Sequence, residues 1–317
     1  MQTLTNVALV IAKYMYVKWY MGSTYSFTGW DSKVVKNISN LSLSFFVVSV
    51  VDQIFWQSNQ LIIGAKLGSF YVATYAIASQ MYINYMNISL AILGVLLPKV
   101  TAMIAINASD NEITDVFIRV GRLQFYILSL ILSGFIIFGH EFLYFWVGAK
   151  FDLVFEVVLI IISAFTIDFI QNLGLTIMQA RNVYYIRTIV YTIVGVLNIA
   201  LSYYWIPVYG IIGGVYSTAL CMLIGNGFVM NYYYYICMNI NINIVKFWLE
   251  IIKIAIIPCV LLPIMLYIKN YLYTQPSLSV WIVLFFIYVV LLLACYIKFS
   301  FNNYEHDLVY KVINKLK

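Results

Sequence analysis

Charge is scarce in this sequence. Only 9% of its 317 residues are Asp, Glu, Lys or Arg, against roughly a quarter in a soluble globular domain. With 64% hydrophobic residues beside them, the chain is excluded as a soluble enzyme, because no soluble fold of this length hides that much apolar surface. A disordered chain and a nucleic-acid-binding domain are excluded with it. Cysteine is sparse too. Cys221, Cys237, Cys259 and Cys295 are widely spaced, each in or beside an apolar run, with no CxxC and no Cys/His cluster. Neither a disulfide framework nor a zinc site is supported, and the thiols read as buried and inert. Histidine occurs only as His140 and His306. No HExxH, Walker loop, GxSxG or dinucleotide fingerprint is present, so no cofactor and no metal is implied.

What the sequence does have is long apolar runs, and its mean hydropathy is +0.93. A membrane-spanning helix needs about 20 mostly apolar residues. Runs that satisfy this lie at roughly 2–17, 40–63, 71–97, 120–139, 153–178, 188–206, 210–231, 247–268 and 279–298. They are long and continuous, not alternating segments of about ten, so helices are expected and a barrel is not. The expected fold is an all-α polytopic bundle of about nine transmembrane helices.

The charges set the orientation. With the N-terminus outside, fifteen of the 18 Lys and Arg residues fall on the inner side. Lys66, Lys150 and Lys269 alone fall outside. Lys13 and Lys253 lie within spans and must snorkel; without them the imbalance persists, as the positive-inside rule expects. The net charge of +6 is therefore an orientation signal, and it gives a cytoplasmic C-terminus. The first run lacks a basic flank and a small-residue cleavage site, so it is not a signal peptide. A polytopic chain whose first helix enters from the far side reads as one whose upstream helices are missing.

Smaller signals fill in the rest. Ser109 with Glu112 fits a capping box that starts a short helix. Pro258 and Pro263 fall within the eighth run and should kink it. Gly210, Gly213, Gly214 and the Gly225-Asn226-Gly227 fragment read as close helix packing. The many Tyr and Trp residues suit interfacial belts. Residues 300–317 carry Leu308, Val312 and Leu316 at i, i+4, i+8, a basic amphipathic tail for the inner membrane surface.

Polar side chains within spans are costly and face a bundle interior or a hydrated cavity. At about 100° per residue, the second run gathers Asp52, Gln53, Trp56, Gln57, Asn59 and Gln60 on one wet face, opposite Ile54, Phe55, Leu61 and Ile62. The third run places Gln80, Asn84 and Asn87 at i, i+4, i+7. The fifth clusters Asp168, Gln171 and Asn172, followed by Thr176 and Gln179. One stripe could be hydrogen-bonded glue between helices; three stripes, two with an Asp, favour a shared cavity. Asp52 and Asp168 are the candidates for proton coupling, since intramembrane carboxylates commonly serve in proton relays.

Several phrases resemble a known family. DQIFWQSNQLIIGAKLGSFYVATYAIASQ (Asp52 to Gln80), LLPKVT (Leu96 to Thr101), WVGAKF (Trp146 to Phe151), IQNLGLTIMQARN (Ile170 to Asn182) and PVYGIIGGVYSTAL (Pro207 to Leu220) are similar, in this order, to bacterial polysaccharide flippases of the multidrug/oligosaccharidyl-lipid/polysaccharide exporter superfamily. The resemblance covers essentially the whole chain. It implies two six-helix lobes around a central cavity, followed by two extra helices. Residues 1–17 would be the last helix of the N-terminal lobe, 37–235 the C-terminal lobe, 246–299 the extra pair and 300–317 the cytoplasmic tail. The first five helices of the family are absent, so the chain reads as the C-terminal two-thirds of a longer flippase.

The implied activity is translocation of polyprenyl-diphosphate-linked oligosaccharide units, for O-antigen or related surface polysaccharide, across the bacterial inner membrane by alternating access, with a cation as the candidate coupling ion. The stripe residues would line the cavity, with Trp56 offering a stacking face. Lys99, Arg119, Arg122, Arg181 and Arg187 at the inner mouth would attract the diphosphate. The expected partners are the bilayer, the lipid-linked oligosaccharide and other polysaccharide assembly proteins, and not nucleic acid. Competing readings are a polysaccharide polymerase, supported only by the outer stretch 139–152 with His140, Glu141, Lys150 and Asp152; a small-molecule exporter of the same superfamily; and a non-transporting fragment.

Overall fold

A computed structural model describes residues 2–20, 32–106, 108–181, 183–236, 243–272 and 278–316. Among them the elements are helical: α1 (Gln2–Tyr20), α2 (Ser32–Leu67), α3 (Ser69–Ala105), α4 (Asp110–Val147), α5 (Leu153–Phe169), α6 (Leu173–Ala180), α7 (Tyr185–Tyr209), α8 (Ile211–Met222), a π-helical turn (Leu223–Val229), α9 (Met230–Ile236), α10 (Ile244–Leu272), α11 (Leu278–Phe299) and α12 (Asn303–Leu316). A 3-10 turn, Ala149–Phe151, joins α4 to α5. The all-α fold expected from the apolar runs is found. The chain divides into two units, Met1–Leu43 and Ser44–Lys317. The first holds α1 and the start of α2, with Val10 and Trp19 exposed.

Seven of the nine expected spans lie within a single helix, whereas 153–178 is broken between α5 and α6 and 210–231 runs through α8, the π-helical turn and α9. Among the described residues five helices are long and apolar enough to cross a membrane: α4, α7, the α8–α9 run, α10 and α11. There are seven if each of two bent pairs counts as one span. The chain is therefore a multi-pass membrane protein. α1 and α2 are helices at the expected places but are not among those spans.

The second unit is built around α4, which packs against α3, α5, α10 and α11. Its capping box is formed in both directions, with Glu112 N–H donating to Ser109 Oγ at 3.4 Å and Ser109 N–H to Glu112 Oε2 at 2.9 Å. The helix it starts is not short. Nothing between Asp110 and Val147 breaks a helix, so the inner segment and the span fuse into 38 residues. On α11 the buried positions are Leu284, Tyr288, Leu292 and Tyr296, a single i, i+4 stripe against α4 and α10. The small hydroxyls Ser129 and Ser133 on α4 let these tyrosines approach: Tyr288 Oη donates to Ser133 at 2.6 Å, and Tyr296 Oη lies 2.8 Å from Ser129 Oγ.

The sharp bends are not where the paired prolines are. α10 runs unbroken through Pro258 and Pro263. One bend, of 46°, separates Ser69–Gly94 from Pro98–Ala105, where Pro98 cannot donate to the carbonyl one turn back. The other, of 42°, separates α5 from α6 and involves no proline. There the backbone tightens, with Gln171 N–H donating to Asp168 O at 3.0 Å and Gly174 N–H to Gln171 O at 2.8 Å. The Gln171 side chain donates to the Ile167 carbonyl at 2.6 Å, supplying the bond that the helix gives up.

The amphipathic stripe expected of the tail, Leu308, Val312 and Leu316, lies outside the described side chains. The start of the tail is firmly placed. Arg122 on α4 is 3% exposed and donates to Glu305, 2% exposed, at 2.7 and 2.8 Å. Its third nitrogen meets Glu250 on α10 at 2.6 Å, and Ser300 O accepts at 2.7 Å. The same end carries Arg119 over the Tyr304 ring, Lys246 with Asp115 and Arg181 with Asp110. The opposite end carries Lys269 with Glu141, Lys66 over Tyr203 and Lys150 over Phe70.

A buried charge that loses its partner costs about 3–5 kcal/mol. Glu305→Ala should therefore lower the thermal unfolding midpoint of the purified protein strongly, whereas Asp115→Ala, which breaks an exposed pair, should leave it nearly unchanged. Differential scanning fluorimetry of both variants checks this.

Candidate functional site

The wet face read on α2 divides in two. Asp52 and Asn59, seven residues apart and about 20° apart in angle, turn into the bundle. Asn59 is fully buried; its Nδ2 donates to Thr218 Oγ1 at 2.8 Å and Tyr75 Oη at 3.3 Å. Asn198 of α7 donates to the same Thr218 at 3.1 Å and to Ser217 at 3.4 Å, and Ser217 meets Ser202. This lattice of amides and hydroxyls joins α2, α3, α7 and α8. Gln53 and Gln57 instead are exposed and Gln60 is half-buried. The Trp56 side chain lies outside the described residues.

On α3 the whole predicted stripe is exposed, at Gln80, Asn84 and Asn87. The i, i+4, i+7 spacing of Gln53, Gln57 and Gln60 on α2 is the same, and each set falls within about 60° of arc. The fifth-run residues point the other way. Gln171 and Asn172 are buried. Asn172 donates to Ser89 Oγ at 3.4 Å, where Gln124 of α4 also donates at 3.1 Å. Beside them Tyr85 Oη and Thr166 Oγ1 are 2.7 Å apart.

Asp52 belongs to a second constellation. Tyr191 of α7 donates to its carboxylate. One turn earlier on α7, the Arg187 guanidinium sits 4.5 Å from the centroid of the same Tyr191 ring and donates to Asn226 in the π-helical turn. Asn226 in turn hydrogen-bonds Asp168 at the end of α5. Two glycines allow this close assembly. A Cβ on Gly225 would lie 2.3 Å from Val194, and one on Gly195 would lie 2.9 Å from Val51, so α7 meets both the π-helical turn and α2 without intervening side chains. A π-helical turn beside a broken span is a common mark of function.

The five basic residues read as an inner mouth are placed differently from one another. Lys99 and Arg119 are exposed and Arg181 is half-buried. Arg122 is enclosed by Glu305 and Glu250, and Arg187 is enclosed by Asn226, Tyr191 and Asp168. In the stretch 139–152 the ionisable groups are engaged: His140 with Asp152 at 3.1 Å, Glu141 with Lys269 at 2.6 Å, and Lys150 over Phe70. His140, Glu141 and Asp152 border a cavity of about 440 Å³. Among the described residues no three His, Cys, Asp or Glu side chains form a metal site.

Tyr191, Asn198 and Asn226 were not singled out from the sequence as site residues. A signal existed on α7, since Arg187, Tyr191, Asn198 and Ser202 fall within about 60° of arc. The tyrosines also do more than line interfaces: Tyr75, Tyr82, Tyr85, Tyr126, Tyr184, Tyr191, Tyr234, Tyr288 and Tyr296 are buried, and at least seven of them hydrogen-bond inside the bundle.

Residues 2–156, just under half of the chain, match the model of the family described as polysaccharide biosynthesis protein. The resemblance to polysaccharide flippases is thereby supported over that stretch, which contains α1 to α4. Over that stretch the chain is similar to proteins of polysaccharide biosynthesis. No curated protein and no solved structure matches it.

Removing a buried hydrogen-bonding group leaves its partners unmet at about 1–3 kcal/mol. Asn59→Leu should lower the unfolding midpoint clearly, and Gln57→Leu, at an exposed position, should change it little. Thermal unfolding of the two purified variants, two residues apart in one helix, separates glue from exposed face.

Proposed function

We propose that this protein moves lipid-linked oligosaccharide units, carried on a polyprenyl diphosphate, from the inner to the outer leaflet of a bacterial cytoplasmic membrane by alternating access. The observation that carries the reading is the pair of exposed amide stripes, Gln53 and Gln57 on α2 and Gln80, Asn84 and Asn87 on α3. Elsewhere in this unit membrane amides such as Asn59, Asn172 and Asn198 are buried and hydrogen-bonded. Five amides presented outward by so apolar a chain suit a hydrated cavity. Amides offer both a donor and an acceptor, which matches the hydroxyl groups of a sugar.

Residues 37–235 act as the C-terminal lobe facing that cavity, with 246–299 as the extra pair beside it. The separation of basic residues between the two ends of the bundle supports a cytoplasmic C-terminus. Lys99, Arg119 and Arg181 remain at the inner mouth, where positive charge attracts a diphosphate; Arg122 serves a buried ion pair and Arg187 a buried contact with Asn226 and Tyr191 instead. Asp52 and Asp168 keep the coupling role, for which the broken α5–α6 span is a fitting neighbour.

Two substitutions test the reading. In proteoliposomes loaded with a fluorescent lipid-linked oligosaccharide, Gln80→Leu with Asn84→Leu should slow translocation about tenfold, equivalent to about 1.4 kcal/mol. Asp52→Asn should also lower it while membrane insertion stays intact. Unchanged translocation in the stripe variant would sink the cavity assignment. A wild-type protein that extends oligosaccharide chains instead of moving them would favour a polymerase.

A further inference from the structure

The Arg187 constellation contains one guanidinium and two carboxylates, and neither carboxylate holds it directly. Reading along the contacts, Asp52 accepts from Tyr191, Arg187 lies against the Tyr191 ring, Arg187 donates to Asn226, and Asn226 bonds Asp168. A neutral side chain stands between the cation and each anion. Arg187 is only 7% exposed, and its Nε–H is buried without an acceptor. An unpaired donor on a desolvated cation is costly, and a direct bidentate pair with a carboxylate is its strongest available interaction. Two carboxylates feel its charge, and they belong to different elements, α2 and the end of α5.

The other groups around Arg187 are neutral tyrosines, Tyr184, Tyr191 and Tyr234, with Tyr82 also facing this charged group. Among the described residues Arg187 is the cation that acts on both Asp52 and Asp168. The two carboxylates therefore share it as a counter-charge.

We propose that Arg187 is a positioning residue that exchanges between Asp52 and Asp168, pinning either α2 or the α5–α6 break. Paired with Asp168, it holds the break at Ile170–Asn172 against α7. Paired with Asp52, it ties α7 to α2 and leaves the break free to move. Two discrete pairings of one buried charge form the kind of bistable element that alternating access requires. This deepens the transport reading and rests on it for its purpose, but the exchange itself can be tested without transport.

The experiment uses the full-length protein purified in detergent, with Asp52→Asn, Asp168→Asn, the double variant and Arg187→Gln. Shared pairing predicts redundancy. Each single Asp variant should lower the thermal midpoint modestly, because the other carboxylate takes the guanidinium, whereas the double variant should fall by more than the two single shifts together. Hydrogen–deuterium exchange of the segment 168–181 supplies a readout that a simple structural role would not give. Asp52→Asn should slow exchange there, since Arg187 is then committed to Asp168, and Asp168→Asn should speed it. In an Arg187→Gln background both effects should vanish.

Additive midpoints, or exchange that moves the same way in both single variants, would overturn the proposal. So would variants in which only one carboxylate matters. If redundancy and opposite exchange are found but the wild type moves no lipid-linked sugar, the transport reading fails and the exchange stands.

Discussion

Lipid offers no partner to a polar side chain, and this single constraint arranges the bundle. Every amide, hydroxyl or charge taken into the membrane must be met by protein or open to a hydrated space. The Ser44–Lys317 unit obeys it by two means. The amide nitrogens of Asn59 and Asn198 donate to Thr218 and Ser217 across three helices, and Arg122 is met by two glutamates, a carbonyl and a tyrosine. The residues left over, chiefly Gln53, Gln57, Gln80, Asn84 and Asn87, cover surfaces instead. The interior and the candidate cavity wall are thus two outcomes of one rule.

Tyrosine is how the chain meets the rule cheaply. A tyrosine fills apolar volume with its ring and brings one hydroxyl to a stated point. With 28 of them, the chain can place a hydroxyl at Asn59, Thr166, Ser129, Ser133 and Asp52 without adding charge. Small residues opposite, such as Ser129 and Ser133, make room for the rings. Low charge and high aromatic content are two sides of the same design.

Much of this was legible in the sequence, and what was not has a physical cause. The runs, the helical fold and the start of α4 at Ser109 follow from local pattern, which one chain carries in full. The wet face of α2 was legible as a cluster, but its division was not: Asn59 turns inward only because Thr218 and Tyr75 are there to receive it. Glu250 and Glu305 could not be assigned to Arg122, since they lie 128 and 183 residues away and any of several acids would fit equally well. The bend at Ile170–Asn172 carries no proline or turn signal. It depends on Gln171 reaching back to a carbonyl, a side chain that reads as an ordinary cavity amide until its partner is seen. Asn226 was passed over as part of a glycine fragment, although those glycines are what bring it to Arg187.

The clasp between Arg122 and Glu305 also sets an order in time. At about 5–20 residues per second of synthesis, the 183 residues between them take roughly 10–40 s to emerge. Throughout that interval α4 carries a guanidinium whose permanent partner does not yet exist. It must stay near the membrane surface, or lean on Glu250 once α10 arrives. A helix made long after α4 is therefore the one that allows its charge to be buried, and this part of the bundle settles only when Glu305 has come back to α4.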